Sequence, residues 1–191
     1  MTDHERITAG LRVLAAIATT TAATAADLGP VVAAMRRCLA SGGTLFFAGN
    51  GGSAADAQHI AAEYVVRYHA KQTRALRAIA LTTDSSILTA AGNDFGFEQL
   101  FARQLSALAR PGDVLLVHST SGNSGNCIAA VECARSLGVL TIGFLGQGGG
   151  KLLPLVDHAV VIADDRVNHI QEVHLAIQHQ IAAILTAEFG A

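Results

Sequence analysis

The sequence is poor in the residues that mark several protein classes: it has no tryptophan, three prolines and three cysteines among 191 residues. The cysteines, Cys38, Cys127 and Cys133, show neither paired spacing nor a CxxC motif, so we expect reduced thiols rather than a disulfide framework. No run of about eighteen apolar residues is present, which predicts no contact with a membrane interior. The first six residues are too polar for a signal peptide, and we therefore expect a cytoplasmic protein.

Charge is also scarce, since charged residues make up 15% of the chain and the formal net charge is -2. A nucleic-acid-binding surface normally shows as a basic stripe, and the nearest match, residues 67–77, is interrupted by apolar residues. We therefore predict no nucleic-acid partner. Apolar residues reach 51%, and this proportion and the length fit one globular domain over 1–191 with a sizeable core.

Two alanine-rich segments, 4–26 and 31–39, carry apolar residues at helical spacing and are separated by 27–30. They predict a helical extension over residues 1–41. Its apolar surface exceeds what one exposed face needs, which suits packing against another subunit or against the chain's own core.

Beyond residue 42 the pattern changes to short apolar runs that alternate with helical segments. Five runs have the length of buried strands: 44–48, 78–81, 114–118, 140–144 and 159–162. Helical patterns cover 54–67, 97–109, 126–137 and a carboxyl-terminal helix over 168–189. This alternation predicts an α/β fold in which helices cover both faces of a parallel sheet.

Two loops that follow predicted strands have the composition of anion-binding sites. In Asn50-Gly51-Gly52-Ser53 the glycines allow close approach of the backbone, and the following helix start offers free N–H groups. A tight turn without a ligand is an equal alternative, and the spacing of a dinucleotide fingerprint is absent.

The second loop, Ser119-Thr120-Ser121-Gly122-Asn123-Ser124, is rich in hydroxyl groups and also opens a predicted helix. Ser124 alone fits a plain N-cap, but the density of hydroxyls exceeds what one cap needs and favours a phosphate site. Residues 146–151 do not have the spacing of a P-loop, and we expect a flexible loop near the edge of the sheet there.

Two pairs of polar residues lie on predicted helices. His59 and Glu63 are four residues apart and share one helix face, and Gln171 and His179 are eight apart and share a broad face. These four offer an N/O ligand set for zinc or another divalent ion, although a surface ion pair and a satisfied core histidine are the simpler interpretations. The sequence pattern does not bring the two helices together.

At these residues the chain resembles the phosphoheptose isomerases, or sedoheptulose 7-phosphate isomerases, of the sugar isomerase (SIS) domain superfamily. The motifs that carry the resemblance are 49–53, Gly92-Asn93-Asp94-Phe95-Gly96, 119–124 and Ile170-Gln171-Glu172-Val173-His174. The resemblance implies a flavodoxin-like five-stranded parallel sheet. It also implies a homotetramer built by the terminal helices, with active sites between subunits.

The activity implied by the resemblance is conversion of sedoheptulose 7-phosphate to D-glycero-D-manno-heptose 7-phosphate through an enediol. Glu63 matches the base and His179 the acid. The zinc ligands of zinc-binding members, one ion per subunit, match His59, Glu63, Gln171 and His179. The substrate contacts of the family match Asn50, Gly51, Gly52, Ser53, Glu63, Asn93, Asp94, Ser119, Thr120, Ser121, Ser124 and Gln171.

The chain departs from the family pattern at Val167-Asn168-His169 and at His118, where a small or apolar residue is more usual. These changes leave a related heptulose or octulose phosphate as an alternative substrate. A second alternative is a non-catalytic relative that binds a replication initiator, but that relative lacks the glutamate and the final histidine. A sugar-sensing transcription regulator would need a DNA-binding module, which 191 residues of this pattern do not contain.

Overall fold

The computed structural model describes residues 1–24 and 28–191, without the side chain of Thr24. Helix α1 spans Asp3–Thr24 and α2 spans Gly29–Ala40, with Pro30 in the first turn of α2. The end of the first predicted helix at 25–26, and residue 27 of the predicted break, lie outside the described residues. Within the described part of the chain, no helix combines the length and apolarity that a membrane crossing requires.

The strands form a single five-stranded sheet in which all neighbours pair in parallel and the order is β2-β1-β3-β4-β5. Their bounds are β1 Leu45–Gly49, β2 Ala78–Ala80, β3 Val114–Ser119, β4 Leu140–Gly146 and β5 His158–Ile162. Strands β1 and β3 lie inside the sheet and are buried throughout, which explains why they are almost entirely apolar apart from His118 and Ser119 at the end of β3. The predicted α/β fold, with its flavodoxin-like strand order, is confirmed.

Five helices complete the chain: α3 Gly52–Val65, α4 Ser85–Phe95, α5 Leu100–Leu108, α6 Gly125–Ser136 and α7 Val167–Phe189. Short 3₁₀ turns at Phe97–Gln99 and Gln147–Gly149 precede α5 and follow β4. Helix α4 was not predicted: only Ala91 of its residues is buried, and its last turn contains Gly92, Asn93 and Asp94, which have low helix propensity. Its start is fixed locally, since the Asp84 carboxylate accepts a hydrogen bond from the N–H of Ile87 at 2.9 Å.

Side chains alternate between the two faces of the sheet and build one core on each. Phe46 belongs to the core with α5 and α6, whereas its neighbour Phe47 belongs to the core with α2, α3 and α7. On the second face α3 packs against α7. In the register of β1 and β3, Gly49 lies opposite His118, so the loops that follow these strands begin side by side at the carboxyl edge.

Candidate active site

The glycine loop, residues 49–53, connects β1 to α3 in a conformation that needs glycine. Gly51 has a φ of +57°, and a Cβ at Gly49 would lie 2.8 Å from the carbonyl oxygen of Ser53. Gly51 is the N-cap of α3 and provides no side-chain cap. The first N–H groups of α3 therefore remain available at the positive end of the helix dipole, as an anion site requires.

A pair of side-chain amides links the glycine loop to helix α6. Asn50 and Asn126 exchange two hydrogen bonds, each 2.8 Å long, and Asn126 is buried at the start of α6. The two loops that follow β1 and β3 are thereby held in one fixed arrangement.

The serine loop, residues 119–124, connects β3 to α6. Ser124 occupies the N-cap position of α6, but its hydroxyl makes no capping bond and instead lies 3.1 Å from the hydroxyl of Ser119. The plain N-cap interpretation therefore fails for the Ser124 side chain. The loop presents hydroxyls beside uncapped helix N–H groups, which is the donor set that a phosphate needs.

Residues 146–152, which include the predicted loop at 146–151, hold the serine loop in place. They begin at the end of β4, which is not an edge strand. A Cβ at Gly122 would overlap the carbonyl oxygen of Gly149. Leu152 N donates a hydrogen bond to the backbone oxygen of Gly122 at 2.9 Å, and Lys151 N donates one to the Asn123 side-chain oxygen at 3.1 Å. The expected flexible loop is thus a support for the serine loop.

The structure brings His59 and Glu63 of α3 together with His179 of α7. His59 Nε2 lies 2.9 Å from His179 Nε2 and 3.3 Å from Glu63 Oε1. One ligand atom from each residue falls within 4.8 Å of the others, and Glu63 and His179 are half-buried. The three residues form a cluster that can hold a cation or move a proton.

The chemistry of this cluster fits a divalent ion. An imidazole nitrogen has one in-plane position, filled by a proton or by a lone pair, so His59 Nε2 cannot satisfy both His179 and Glu63 by hydrogen bonding. A central cation would satisfy all three at once. Two ligands at 2.0–2.1 Å from a tetrahedral zinc are about 3.3 Å apart, close to the separations found here.

Gln171 lies at the other end of the α3–α7 contact. The Gln171 Oε1 atom lies only 2.6 Å from the position that a Cβ on Gly52 would occupy. The Gln171 Nε2 atom is 3.4 Å from Ser53 Oγ. Eight residues of helix separate it from His179 by about 12 Å. The contacts of Gln171 therefore place it beside the glycine loop, whereas the other three predicted ligands form the cluster.

Asn93 and Asp94 lie near the end of α4 and are exposed. Asn93 Nδ2 donates a hydrogen bond to Asp94 Oδ1 at 2.7 Å. Among the described residues, no hydrogen bond joins either of them to the glycine or serine loop. Thr120 and Ser121 are half-buried within the serine loop, where Ser121 Oγ accepts a hydrogen bond from the N–H of Asn123 at 3.2 Å.

Comparison with known proteins agrees with this geometry. The SIS domain family matches residues 11–146. A phosphoheptose isomerase of Solidesulfovibrio magneticus is 52% identical over 151 residues, which cover 79% of this chain and 73% of the relative. The chain belongs to the SIS domain family and, within it, to the phosphoheptose isomerases.

Two solved structures extend the likeness to nearly the whole chain. A phosphoheptose isomerase from Neisseria gonorrhoeae has a TM-score of 0.88 at 38% identity, covering 97% of this chain and 100% of that one. Another, from Francisella tularensis, has a TM-score of 0.92 at 34% identity, covering 98% and 100%. The predicted family is confirmed, while the roles assigned to individual residues stay predictions.

Two further residues of this site had no clear signal in the sequence. Asn126 reaches Asn50 across 76 residues of chain, a separation that no local pattern reveals. Asp56 lies on α3 one turn before His59, and burial raises its pKa to about 6 although the nearby His59 opposes the shift. One carboxylate oxygen of Asp56 is buried and has no hydrogen-bond partner among the described residues.

Proposed function

We propose that this chain is an aldose–ketose isomerase that converts sedoheptulose 7-phosphate to D-glycero-D-manno-heptose 7-phosphate. The relatives named as phosphoheptose isomerases support the reaction class. One observation carries the proposal: the glycine and serine loops lie side by side at the sheet edge, and the cluster of His59, Glu63 and His179 lies two helical turns along α3.

The spacing between these two parts of the site suits a seven-carbon substrate. His59 lies seven residues beyond Gly52, which is about 10 Å along α3. In an extended sugar phosphate, seven bonds separate the second carbon from the phosphorus of a 7-phosphate, about 8 Å at roughly 1.2 Å per bond. A phosphate bound at the loops would therefore bring the first two carbons to the cluster.

In the proposed mechanism Glu63 removes the proton from the aldose or ketose carbon next to the carbonyl. The C–H electrons form the double bond of an enediol, and His179 supplies a proton to the carbonyl oxygen. Glu63 then returns its proton to the former carbonyl carbon, and the hydroxyl on the carbon that Glu63 deprotonated gives its proton back to His179 as the new carbonyl forms. The half-buried position of Glu63 leaves its carboxylate partly desolvated and within reach of a bound sugar.

We propose zinc, one ion per subunit, as the ion that His59, Glu63 and His179 would hold. The resemblance matches Gln171 to a fourth ligand. The contacts of Gln171 with Gly52 and Ser53 favour a role toward the substrate. When bound, such an ion supplies positive charge that stabilises oxygen as it becomes negative. The phosphate and the adjoining hydroxyls would be held by Asn50, Ser119, Thr120, Ser121 and Ser124. Among the described residues, Asn93 and Asp94 make no hydrogen bond to either loop, and their predicted contact with the substrate stays a prediction.

The test is an isomerase assay with sedoheptulose 7-phosphate, following the aldose product with added zinc and with chelator. We expect turnover by the native chain and loss of turnover in Glu63→Gln. Glu132→Gln is the matched control, because Glu132 is exposed on α6 away from the cluster. Near-native turnover in Glu63→Gln would remove Glu63 from the role of base. Turnover only with an eight-carbon ketose phosphate would favour the alternative substrate, and no turnover with either would favour a binding protein.

We also propose a cytoplasmic homotetramer. An apolar groove between α1, α2 and α7 supports association, with a lining that includes Ala18, Ala22, Val32, Ala176, Ile177 and Ile184. The three cysteines are unpaired, which suits a reducing compartment. Light scattering after size-exclusion chromatography tests the assembly, and a monomer at micromolar concentration would contradict it.

A further inference from the structure

His118 occupies a position where three parts of the site meet. It is buried at the carboxyl end of β3, lies opposite Gly49 of the glycine loop, and directly precedes Ser119 of the serine loop. Its side chain points into the core shared with α7, where it packs beside Phe47 and Phe144. A buried polar ring at such a point needs specific partners, because an unpaired polar atom in the core is costly.

Both ring nitrogens of His118 have partners. Nδ1 lies 3.3 Å from the carbonyl oxygen of Ala48 in β1, and Nε2 is in hydrogen-bond contact with the Nε2 amide of Gln178. These partners assign the neutral tautomer in which Nδ1–H donates to Ala48 and Nε2 accepts from Gln178. Burial lowers the pKa of His118 to about 4, so the ring keeps this form at neutral pH.

Gln178 connects His118 to the end of the site where His179 lies. It is buried on α7 and directly precedes His179, so the two side chains leave the helix in different directions. Gln178 faces the sheet, and His179 faces His59. One turn earlier, His174 Nε2 donates to the carbonyl oxygen of Leu145 at 3.0 Å. These two contacts are polar anchors between the inner side of α7 and the sheet.

We propose that His118 and Gln178 are positioning residues, whose hydrogen bond fixes the rotation of α7 and thereby sets His179 relative to the phosphate loops. The inference rests on the proposed isomerase activity for its kinetic consequence. Its geometric basis is that a single imidazole contacts β1 next to the glycine loop, leads into the serine loop, and holds the residue before His179. A buried polar pair that is satisfied specifies one arrangement of the elements it joins, in addition to what apolar packing provides.

Two substitutions at His118 separate the contacts. In His118→Gln the side-chain amide reaches the position of Nε2 and keeps the bond to Gln178. In His118→Asn it reaches only the position of Nδ1 and keeps the bond to Ala48. We expect kcat to fall roughly tenfold in His118→Asn, as for other supporting contacts of catalytic groups, and KM to change less. His118→Gln should restore most of kcat.

A double-variant cycle and a control complete the test. Gln178→Met removes the same bond, so His118→Asn combined with Gln178→Met should be no slower than either single variant. Thr141→Val removes a buried hydrogen bond to Asp157 at the start of β4 and should lower stability without changing kcat. Equal losses of kcat in His118→Asn and His118→Gln, or additive losses in the double variant, would overturn the inference.

A readout without turnover keeps the two proposals distinguishable. In histidine-labelled protein, the Cε1–H resonance of His179 should shift or broaden in His118→Asn and remain unchanged in His118→Gln. If the native chain fails to isomerise the sugar but this pattern holds, the proposed function fails and the positioning contact stands. A His179 resonance that is the same in all variants would overturn the positioning contact whatever the activity.

Discussion

Gly52→Ala is a substitution that separates function from stability at the glycine loop. Gly52 does not have a positive φ, so its backbone accepts alanine without strain. The added Cβ would lie 2.6 Å from Gln171 Oε1 and 2.8 Å from Nε2. Because ordinary contact begins at 3.4 Å, the Gln171 oxygen must retreat by at least the difference between 3.4 and 2.6 Å, 0.8 Å. The atoms that move are the far end of a flexible side chain.

The expected cost falls on catalysis. The retreat breaks the contact between Gln171 Nε2 and Ser53 Oγ, now 3.4 Å long, and removes the amide from the loop. Loss of one such hydrogen bond is worth about 0.5–1.5 kcal/mol, or roughly twofold to twelvefold in binding. Displacements near 1 Å in a site can cost more. We therefore predict a fall of about tenfold in kcat/KM with little change in Tm.

The assay is kcat/KM for sedoheptulose 7-phosphate together with thermal unfolding. Gly10→Ala is the matched control, because nothing lies within 4 Å of the added Cβ on α1. It should raise stability by about 0.5–1 kcal/mol and leave activity unchanged. Gln171→Ala should reproduce the effect of Gly52→Ala, and the double variant should add nothing. Activity within twofold of native in Gly52→Ala, at unchanged Tm, would refute the assignment of Gln171 to the loop.

Three further predictions concern stability and are checked by urea unfolding. Gly122→Ala should lower the free energy of unfolding by more than about 2 kcal/mol, because φ is +64° and the added Cβ meets the Gly149 carbonyl. Gly148→Ala, with open space around the added Cβ, should lower it by about 1 kcal/mol, and equal losses in the two variants would contradict this prediction. Tyr64→Phe should raise stability by about 1 kcal/mol, since the buried hydroxyl has no partner among the described residues, and a loss would show an overlooked hydrogen bond. Burial lowers the pKa of His118 to about 4 and of His174 to about 3, whereas histidine in the unfolded chain titrates near 6.5. The unfolded chain therefore binds more protons, and the free energy of unfolding should fall as pH drops from 6.5 to 4. Asp56, with its pKa raised to about 6, opposes this fall, and a constant free energy of unfolding would refute the prediction.

The sheet was predictable from the sequence because its inner strands β1, β3 and β4 are buried on both faces. Runs such as 114–118 and 140–144 are mostly apolar, with His118 and Thr141 as the polar exceptions, and each strand is bounded by residues that favour turns. Helix α4 escaped prediction because it buries only Ala91 and because Gly92, Asn93 and Asp94 in its last turn have low helix propensity. The start of the predicted helix at 97–109 was displaced to Leu100, since Gly96 has a φ of +86° and opens a 3₁₀ turn.

The site was predictable only where its parts are local in sequence. His59 and Glu63 share a helix face by spacing alone, but their approach to His179 depends on the packing of α3 on α7. The amide pair of Asn50 and Asn126 likewise joins loops that are distant in sequence. Periodicity describes how one element buries its surface, whereas the meeting of two elements is decided by the topology of the sheet.

That topology also explains why helices, rather than loops, set the length of the site. Helix α3 follows β1 and α7 follows β5, so in a parallel sheet both start at the same carboxyl edge. Gln171 meets Gly52, and two turns further along His179 meets His59, which shows that the helices run side by side in one direction. The distance between the loops and the cluster is therefore a fixed helical rise of about 10 Å. A distance between two groups is more precise when both groups lie on helices than when they lie on loops. This holds here only if the rotation of α7 is fixed, and the hydrogen bond between His118 and Gln178 fixes that rotation.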